Sequence, residues 1–331
     1  MTMLLRCIDA LNVKVSKRRW QLFEFSDSHI VPLFLKHKCQ AFMLEKWRNR
    51  IPILQHVSPA EMAASVLLQA LEELEDLDDE YYTVIDFCSG AGGPVPVIEK
   101  LVNSRRAEHG LKPIPFLLTD IQPHLDAWMD AASRSANLSF IPQPVDATHP
   151  PVSAISETAS ANDPFADFSS DTKVFRLYCL SFHHFNDDTA RRVLQSTLDT
   201  SDAFAIIELQ DRRAMSLLLV VLDFFSALLF TLFWFPRDPL HLLFTYLTPA
   251  LPLMQAFDGV VSCLRTRTFE EILALVDALP SVGKRRSVTT LGSGGMLFQK
   301  TRRRDWRFVG GRLLHTWPIG YMNFFYGRKT V

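Results

Sequence analysis

Val84-Ile-Asp-Phe-Cys-Ser-Gly-Ala-Gly-Gly-Pro94 is the stretch that decides the fold. An apolar run ends on an acid, Asp86, and passes into a turn carrying Gly90, Gly92 and Gly93. Pro94 then suits the first turn of a following helix. Glycine at these positions lets the main chain approach a ligand with no Cβ in the way. The helix start behind the turn offers unpaired N–H groups to an anionic group such as a carboxylate. Alone, such a turn also fits an ordinary tight strand-to-helix connection, so its surroundings must decide.

Those surroundings are α/β. From Tyr81 short apolar runs alternate with helix-like segments, the pattern of βαβ units and a parallel sheet. Strands are predicted at Tyr82–Phe87, Phe116–Asp120, Leu138–Pro142, Val174–Leu180, Ala203–Leu209 and, at the end, Tyr321–Tyr326. Helices are predicted at Pro94–Asn103, Pro123–Ser135 and Asp188–Leu198. Upstream, Pro59–Glu75 follows the capping box Ser58-Pro-Ala-Glu61, and downstream Thr268 caps an amphipathic helix to Leu279. The first sixty residues read as helical, with Phe23, Phe25, Phe34, Leu35, Phe42 and Trp47 spaced to bury one side. Ser153–Asp171, rich in Ser, Ala and Asp, reads as a long surface loop.

Two further acids stand at the next strand ends. Asp120, in Leu117-Leu-Thr-Asp-Ile-Gln-Pro123, is placed to accept two ribose hydroxyls, or to cap the helix that follows. Asp146, in Pro144-Val-Asp-Ala147, is placed to accept from an exocyclic amine, or is a plain loop acid. Carboxylates at three consecutive strand ends make an adenosine-type site along the carboxyl edge of the sheet.

On these residues the sequence resembles the class I S-adenosylmethionine-dependent methyltransferases, over roughly residues 81–210 and on towards the C-terminus. Asp86, Cys88, Ser89, Gly90, Gly92 and Gly93 look like their first motif, with Cys88 where the usual motif has its first glycine. Asp120 with Ile121 looks like the ribose-binding acid, and Asp146 with Ala147 like the adenine-side acid. Leu180-Ser-Phe-His-His-Phe185, which includes Ser181, and the segment Asn186–Leu194 look like the end of the fourth strand and its following helix. Leu22-Phe-Glu-Phe25 and Asp258-Gly-Val-Val-Ser-Cys-Leu-Arg265 further resemble a small-molecule branch found in bacteria and fungi. The resemblance implies a Rossmann-like, seven-stranded, mostly parallel sheet with helices on both faces and an antiparallel last strand. It also implies S-adenosyl-L-methionine as cofactor, no metal, and a small-molecule acceptor from secondary metabolism.

The expected organisation is an N-terminal helical cap over 1–80 and a cofactor-binding core over 81–213. An apolar helical insertion follows over 214–265, and the core is completed by 266–331. Methyl transfer from a sulfonium is an in-line displacement, so most of its acceleration comes from holding the acceptor in near-attack geometry. An oxygen or nitrogen acceptor also needs a base, and His183, His184 and Glu208 are the candidates at the active edge, with Asp211 beside them. The alternative for the His-His-Phe turn is a packing and hydrogen-bonding corner.

Composition narrows the field. Lys plus Arg number 35 against 36 Asp plus Glu, a net charge of −1, which argues against a nucleic-acid binder. Five scattered cysteines, none in a C-x-x-C pair, argue against a disulfide framework or zinc site. No Pro-Cys dipeptide exists for a DNA cytosine methyltransferase, and the glycine turn lacks the Gly-x-Gly-x-x-Gly order of a nicotinamide dehydrogenase. The first twenty residues hold no apolar run of secretory length, so an intracellular, cytoplasmic protein is expected.

One region does not fit a plain soluble enzyme. Ala214–Phe235 has a single charge, Asp223, and Leu240–Phe257 follows after Pro236-Arg-Asp-Pro239. The first segment is long enough to cross a bilayer, while Pro249 and Pro252 make the second a poor continuous span. Membrane contact and a greasy lid over the substrate both fit, and both imply a lipophilic acceptor. The rival expectation is a cofactor-binding fold that no longer methylates and serves as a membrane-associated partner protein.

Overall fold

The strands form where apolar runs are long enough to be covered on both faces, and they meet in one sheet. The computed structural model describes residues 11–75, 82–151, 173–279, 287–293, 296–303 and 305–330; the loop predicted at Ser153–Asp171 lies outside them. Five strands run parallel: β1 (Tyr82–Phe87), β2 (Phe116–Thr119), β3 (Leu138–Phe140), β4 (Lys173–Cys179) and β5 (Ala203–Glu208). β1, β2 and β5 are buried at every residue, as expected of parallel strands covered by helices on both sides.

Past β5 the sheet continues through β9 (Gly320–Lys329), β8 (Trp306–Thr316), β7 (Met296–Arg303) and β6 (Ser287–Ser293), giving the order β3-β2-β1-β4-β5-β9-β8-β7-β6. β9 is antiparallel to β5, and β8 is antiparallel to β9, so β8 again points with the parallel set. The stretch β3-β2-β1-β4-β5-β9-β8 is therefore the expected seven-stranded sheet with its antiparallel last strand. The sheet has nine strands rather than seven because the β6–β7 hairpin adds to its edge. The terminal strand is also longer than the predicted Tyr321–Tyr326.

Helices cover both faces. α2 (Pro59–Glu75) and α3 (Val95–Glu108) pack over one face, where Ala63, Leu67 and Val102 meet Val84, Leu118 and Leu177. α5 (Asp187–Thr200) and α9 (Phe269–Asp277) cover the other, where Val193, Leu194, Ile272 and Val276 meet Ile85, Ile206 and Phe325. Both predicted caps are formed: Glu61 N–H donates to Ser58 Oγ while Ser58 N–H donates to the Glu61 carboxylate, and Thr268 and Glu271 repeat the pattern. α4 (Leu125–Ala132) follows β2.

The N-terminal region departs from expectation. Between residues 11 and 60 the helical residues beyond position 11 are those of α1 (Leu33–Arg48) and the start of α2; residues 12–32 form an irregular strap. Phe23 and Phe25 belong to this strap and not to a helix. The Phe25 and Ser26 N–H groups donate to the carboxylate of Asp258, a partner that replaces the helical ladder. α6 (Ala214–Trp234), α7 (Pro239–Leu242) and α8 (Ala250–Arg265) complete the fold, with α6 and α8 packed together so closely that Gly259 leaves no room for a Cβ beside Val220.

Candidate functional site

Crossing from β1 to β4 past β2 and β3 opens a crevice at the carboxyl ends of the strands, the place where open α/β sheets bind ligands. Register sets Asp86 opposite Leu118 on β2 and Leu177 on β4, so Asp86, Asp120 and Ser181 reach the same edge. The turn after β1 takes left-handed backbone at Cys88 (φ 61°), Gly90 (φ 51°) and Gly92 (φ 97°). Cys88 thus occupies a position where glycine is the unstrained choice, at a cost of about 1 kcal/mol. The Gly90 N–H donates to Asp120 Oδ2 (2.8 Å) and the Gln122 N–H to Asp120 Oδ1 (2.8 Å). Trp128 Nε1–H donates to the Gly90 carbonyl (2.8 Å), so the turn is pinned from both sides.

The acids converge as expected from their positions. Burial first, then the charges of Asp120, Asp86 and Asp146, push the Cys88 thiol well up. Burial also raises Asp86 and Asp120, against hydrogen bonds that favour their charged forms. Asp146 is exposed and binds the N–H and hydroxyl of Thr148, so its own turn uses one of its oxygens. Ile121 is exposed beside Asp120, and Ala147 is buried beneath Asp146.

Among the described residues, three oxygens at this edge lack a hydrogen-bond partner: Asp86 Oδ1, Ser181 Oγ and Gln40 Oε1. Gln40 comes from α1 and reaches over the turn, its amide nitrogen 3.5 Å from where a Gly90 Cβ would sit. A Cβ on Gly93 would meet no atom within 4 Å, so the turn opens to space there. Orphaned oxygens around a bare glycine turn fit a ligand bearing ammonium and hydroxyl donors. Sequence reasoning missed Gln40, because a glutamine inside a helix carries no local signal.

The second cluster centres on the His-His turn. His183 is buried, its Nδ1 2.9 Å from Glu208 Oε2 while its own N–H donates to Glu208 Oε1 (3.0 Å). His184 Nδ1 lies 2.9 Å from Asp27 Oδ1 and 3.2 Å from Glu24 Oε2. Each imidazole is thus held at Nδ1 by a carboxylate, the arrangement that fixes a tautomer and leaves Nε2 to exchange protons. His184 also acts electrostatically on Asp120, lowering it, which ties this turn to the edge that carries the glycine turn.

Glu24 and Asp27 come from the strap, and no local pattern marks either as chemistry, although Leu22–Phe25 carries part of the family resemblance. Glu24 is 1% exposed and accepts from Ser262 Oγ (3.1 Å) and Arg265 Nη1 (3.2 Å). Burial raises its carboxyl to about 7, against the charges of His184 and Arg265. Burial acts the same way on Asp27, yet the hydrogen bonds and charges of His184 and Arg265 hold it well below the usual carboxylate range. Arg19 and Arg267 clamp the turn from behind, donating to the carbonyls of His183, Phe182 and Phe185. Asp211 is engaged by its own segment, accepting from Ser216 Oγ (2.8 Å) and from the Arg213 N–H. A cavity of about 190 Å³ lies beyond Glu208, between the start of α9 and strands β8 and β9, away from the glycine turn.

Neither a family model nor a curated protein matches the sequence. Solved structures overlay loosely. Magnesium protoporphyrin IX methyltransferase from Synechocystis PCC 6803 with bound S-adenosylhomocysteine is 9% identical, with 81% of this chain and 82% of that chain covered at a TM-score of 0.38. The DszA carbon methyltransferase is 14% identical, with 82% and 55% covered at 0.40. A putative Zn-dependent alcohol dehydrogenase from Rhodobacter sphaeroides is 13% identical, with 89% and 98% covered at 0.38. Overlays this loose describe a likeness of chain path and assign no activity.

Proposed function

We propose that this chain is an S-adenosylmethionine-dependent methyltransferase acting on a lipophilic small molecule of secondary metabolism in the cytoplasm. What carries the proposal is the set of unpartnered oxygens of Asp86, Ser181 and Gln40 around a glycine turn backed by Asp120, on the carboxyl edge of a sheet in the methyltransferase order. Asp86 and Gln40 would hold the cofactor's amino-acid end, Asp120 its ribose, and Ile121 would lie against the adenine. The cofactor supplies an electrophilic methyl group on a sulfonium.

The rest is the work of the chain's own side chains. α1, through Gln40 at the glycine turn, and the strap, through Glu24 and Asp27 at His184, would keep water from the reacting pair. His183 Nε2, with Glu208 fixing the other ring nitrogen, takes the proton of an oxygen or nitrogen acceptor. His184, on the Glu24 side, faces the same edge.

The direct test is conversion of S-adenosylmethionine to S-adenosylhomocysteine in the presence of lipophilic extract fractions, with calorimetry of cofactor binding alongside. Gly90→Val adds a branched side chain at φ 51° beside Gln40 and should weaken cofactor binding at least about tenfold. Unchanged affinity in that variant sinks the cofactor assignment. Tight cofactor binding with no turnover on any fraction would instead favour a ligand binder that does not methylate.

A further inference from the structure

We propose that the exposed apolar face of α6, α7 and α8, continuous with Trp20–Phe25 of the strap, docks this protein onto an anionic lipid bilayer, with α6 lying along the surface rather than crossing it. α6 is 21 residues long and, among the described residues, the single helix long and apolar enough to span on its own. Its exposed residues form one stripe: Leu218, Val221, Leu222, Phe225, Leu229 and Phe233 follow helical spacing, and Phe233 is 69% exposed. Leu243 and Leu247 after α7, and Leu253 and Phe257 on α8, extend the same greasy surface. Phe25 packs at a tilt against Phe257 with ring centroids 4.9 Å apart, and Phe23 meets Phe25 edge-to-face at 5.5 Å, carrying the face into the strap.

Crossing is opposed by how the other side of α6 is held. Ser216 binds Asp211, Leu219 lies against Gly320 of β9, Val220 against Gly259, Asp223 pairs with Lys46 of α1, and Trp234 packs on Phe42. These anchors run the length of the helix, so inserting it across a bilayer would strip all of them and drag a carboxylate into hydrocarbon. The following pair, Pro239–Leu247 and Ala250–Arg265, is bent by 74° and does not make a straight span either.

Charge distinguishes a bilayer from a second copy of the chain. The acids within 214–257, Asp223 and Asp238, are both neutralised by lysines of α1, Lys46 and Lys38. The cations at the rim stay exposed: Arg237 at the turn after α6, and Lys17 and Arg18 beside the half-exposed Trp20. An apolar centre with a cationic rim and an aromatic at the edge suits an anionic leaflet. A second copy meeting through the same face would bring cationic rim to cationic rim.

The strap connects this face to the chemistry. Phe23 is 53% exposed on the apolar side, while its neighbour Glu24 turns inward to His184. A lipophilic acceptor leaving the bilayer along the strap would arrive beside the histidines; that link rests on the proposed methyl transfer, whereas docking itself does not.

The test uses the full chain and phosphatidylcholine–phosphatidylglycerol vesicles. Wild-type protein should float with them, bind pure phosphatidylcholine more weakly, and be released by alkaline carbonate. Leu222→Asp/Phe225→Asp/Leu229→Asp should reduce vesicle binding at least about tenfold while cofactor affinity is unchanged. Brominated phospholipid should quench wild-type tryptophan fluorescence, and Trp20→Phe should remove most of that quenching, a readout independent of the triple variant's folding. No flotation with anionic vesicles overturns the proposal, as does carbonate-resistant insertion. A dimer that the triple variant dissociates, with no vesicle binding, also overturns it. Flotation without cofactor binding would leave docking intact and remove the methyltransferase reading instead.

Discussion

Glu24 has a folded-state carboxyl pushed up to about 7 by burial, well above an ordinary glutamate near 4.5. The folded chain therefore holds this proton more tightly than the unfolded chain does. The resulting stabilisation is fully present below about pH 4.5 and is lost as pH rises towards 7. Glu24→Gln keeps the shape and cannot ionise, so its unfolding free energy should fall less steeply across that window. The difference from wild type should reach at most roughly 3 kcal/mol, read from urea unfolding at pH 4.5 and 7.5. Parallel curves for the two proteins would show that Glu24 is not shifted. The neighbouring histidines make a kinetic prediction. His183→Ala should lose turnover by roughly 10² to 10⁴ with cofactor affinity kept, and Glu208→Gln should lose it through the wrong tautomer. Full turnover with both His183 and His184 replaced would mean that positioning alone drives the reaction.

At the scale of elements, α9 seats on the sheet because Gly310 of β8 carries no side chain. A Cβ there would come 2.0 Å from the Phe269 ring, at the first residue of the helix. Gly310→Val should force Phe269 off the sheet and destabilise the protein by about 1–3 kcal/mol, measured by thermal or urea unfolding. A stability equal to wild type would show that the ring moves aside freely. Elements whose signals are local were legible: β1 and α2 have the predicted bounds, and Ser58 and Thr268 cap as their sequences imply. The strap was not legible. The spacing of Phe23 and Phe25 suggests a helical face, yet what fixes them is Asp258, 233 residues from Phe25. The β6–β7 hairpin was missed because its residues form no apolar run between turn signals, only an edge extension that needs β8 to exist.

Across the whole molecule, the three acids were legible because sheet order alone brings successive strand ends to one edge. The pairing of His184 with Glu24 and Asp27 was not, because the strap reaches the turn through space and not through any pattern in the chain. The strap also bears on how the protein is made. Arg19, Leu22, Glu24 and Phe25 bind Arg265, Ser262 and Asp258, partners lying more than two hundred residues downstream. The strap leaves the ribosome more than two hundred residues before α8, so its contacts with that helix wait until α8 has emerged. The hold of Arg265 on Glu24 and Asp27, the carboxylates beside His184, therefore forms only after α8 has been made. Seating of the strap on α8 thus follows the appearance of the parallel strands, so in nascent chains arrested at increasing lengths the strap should become protected from protease only once α8 has been made.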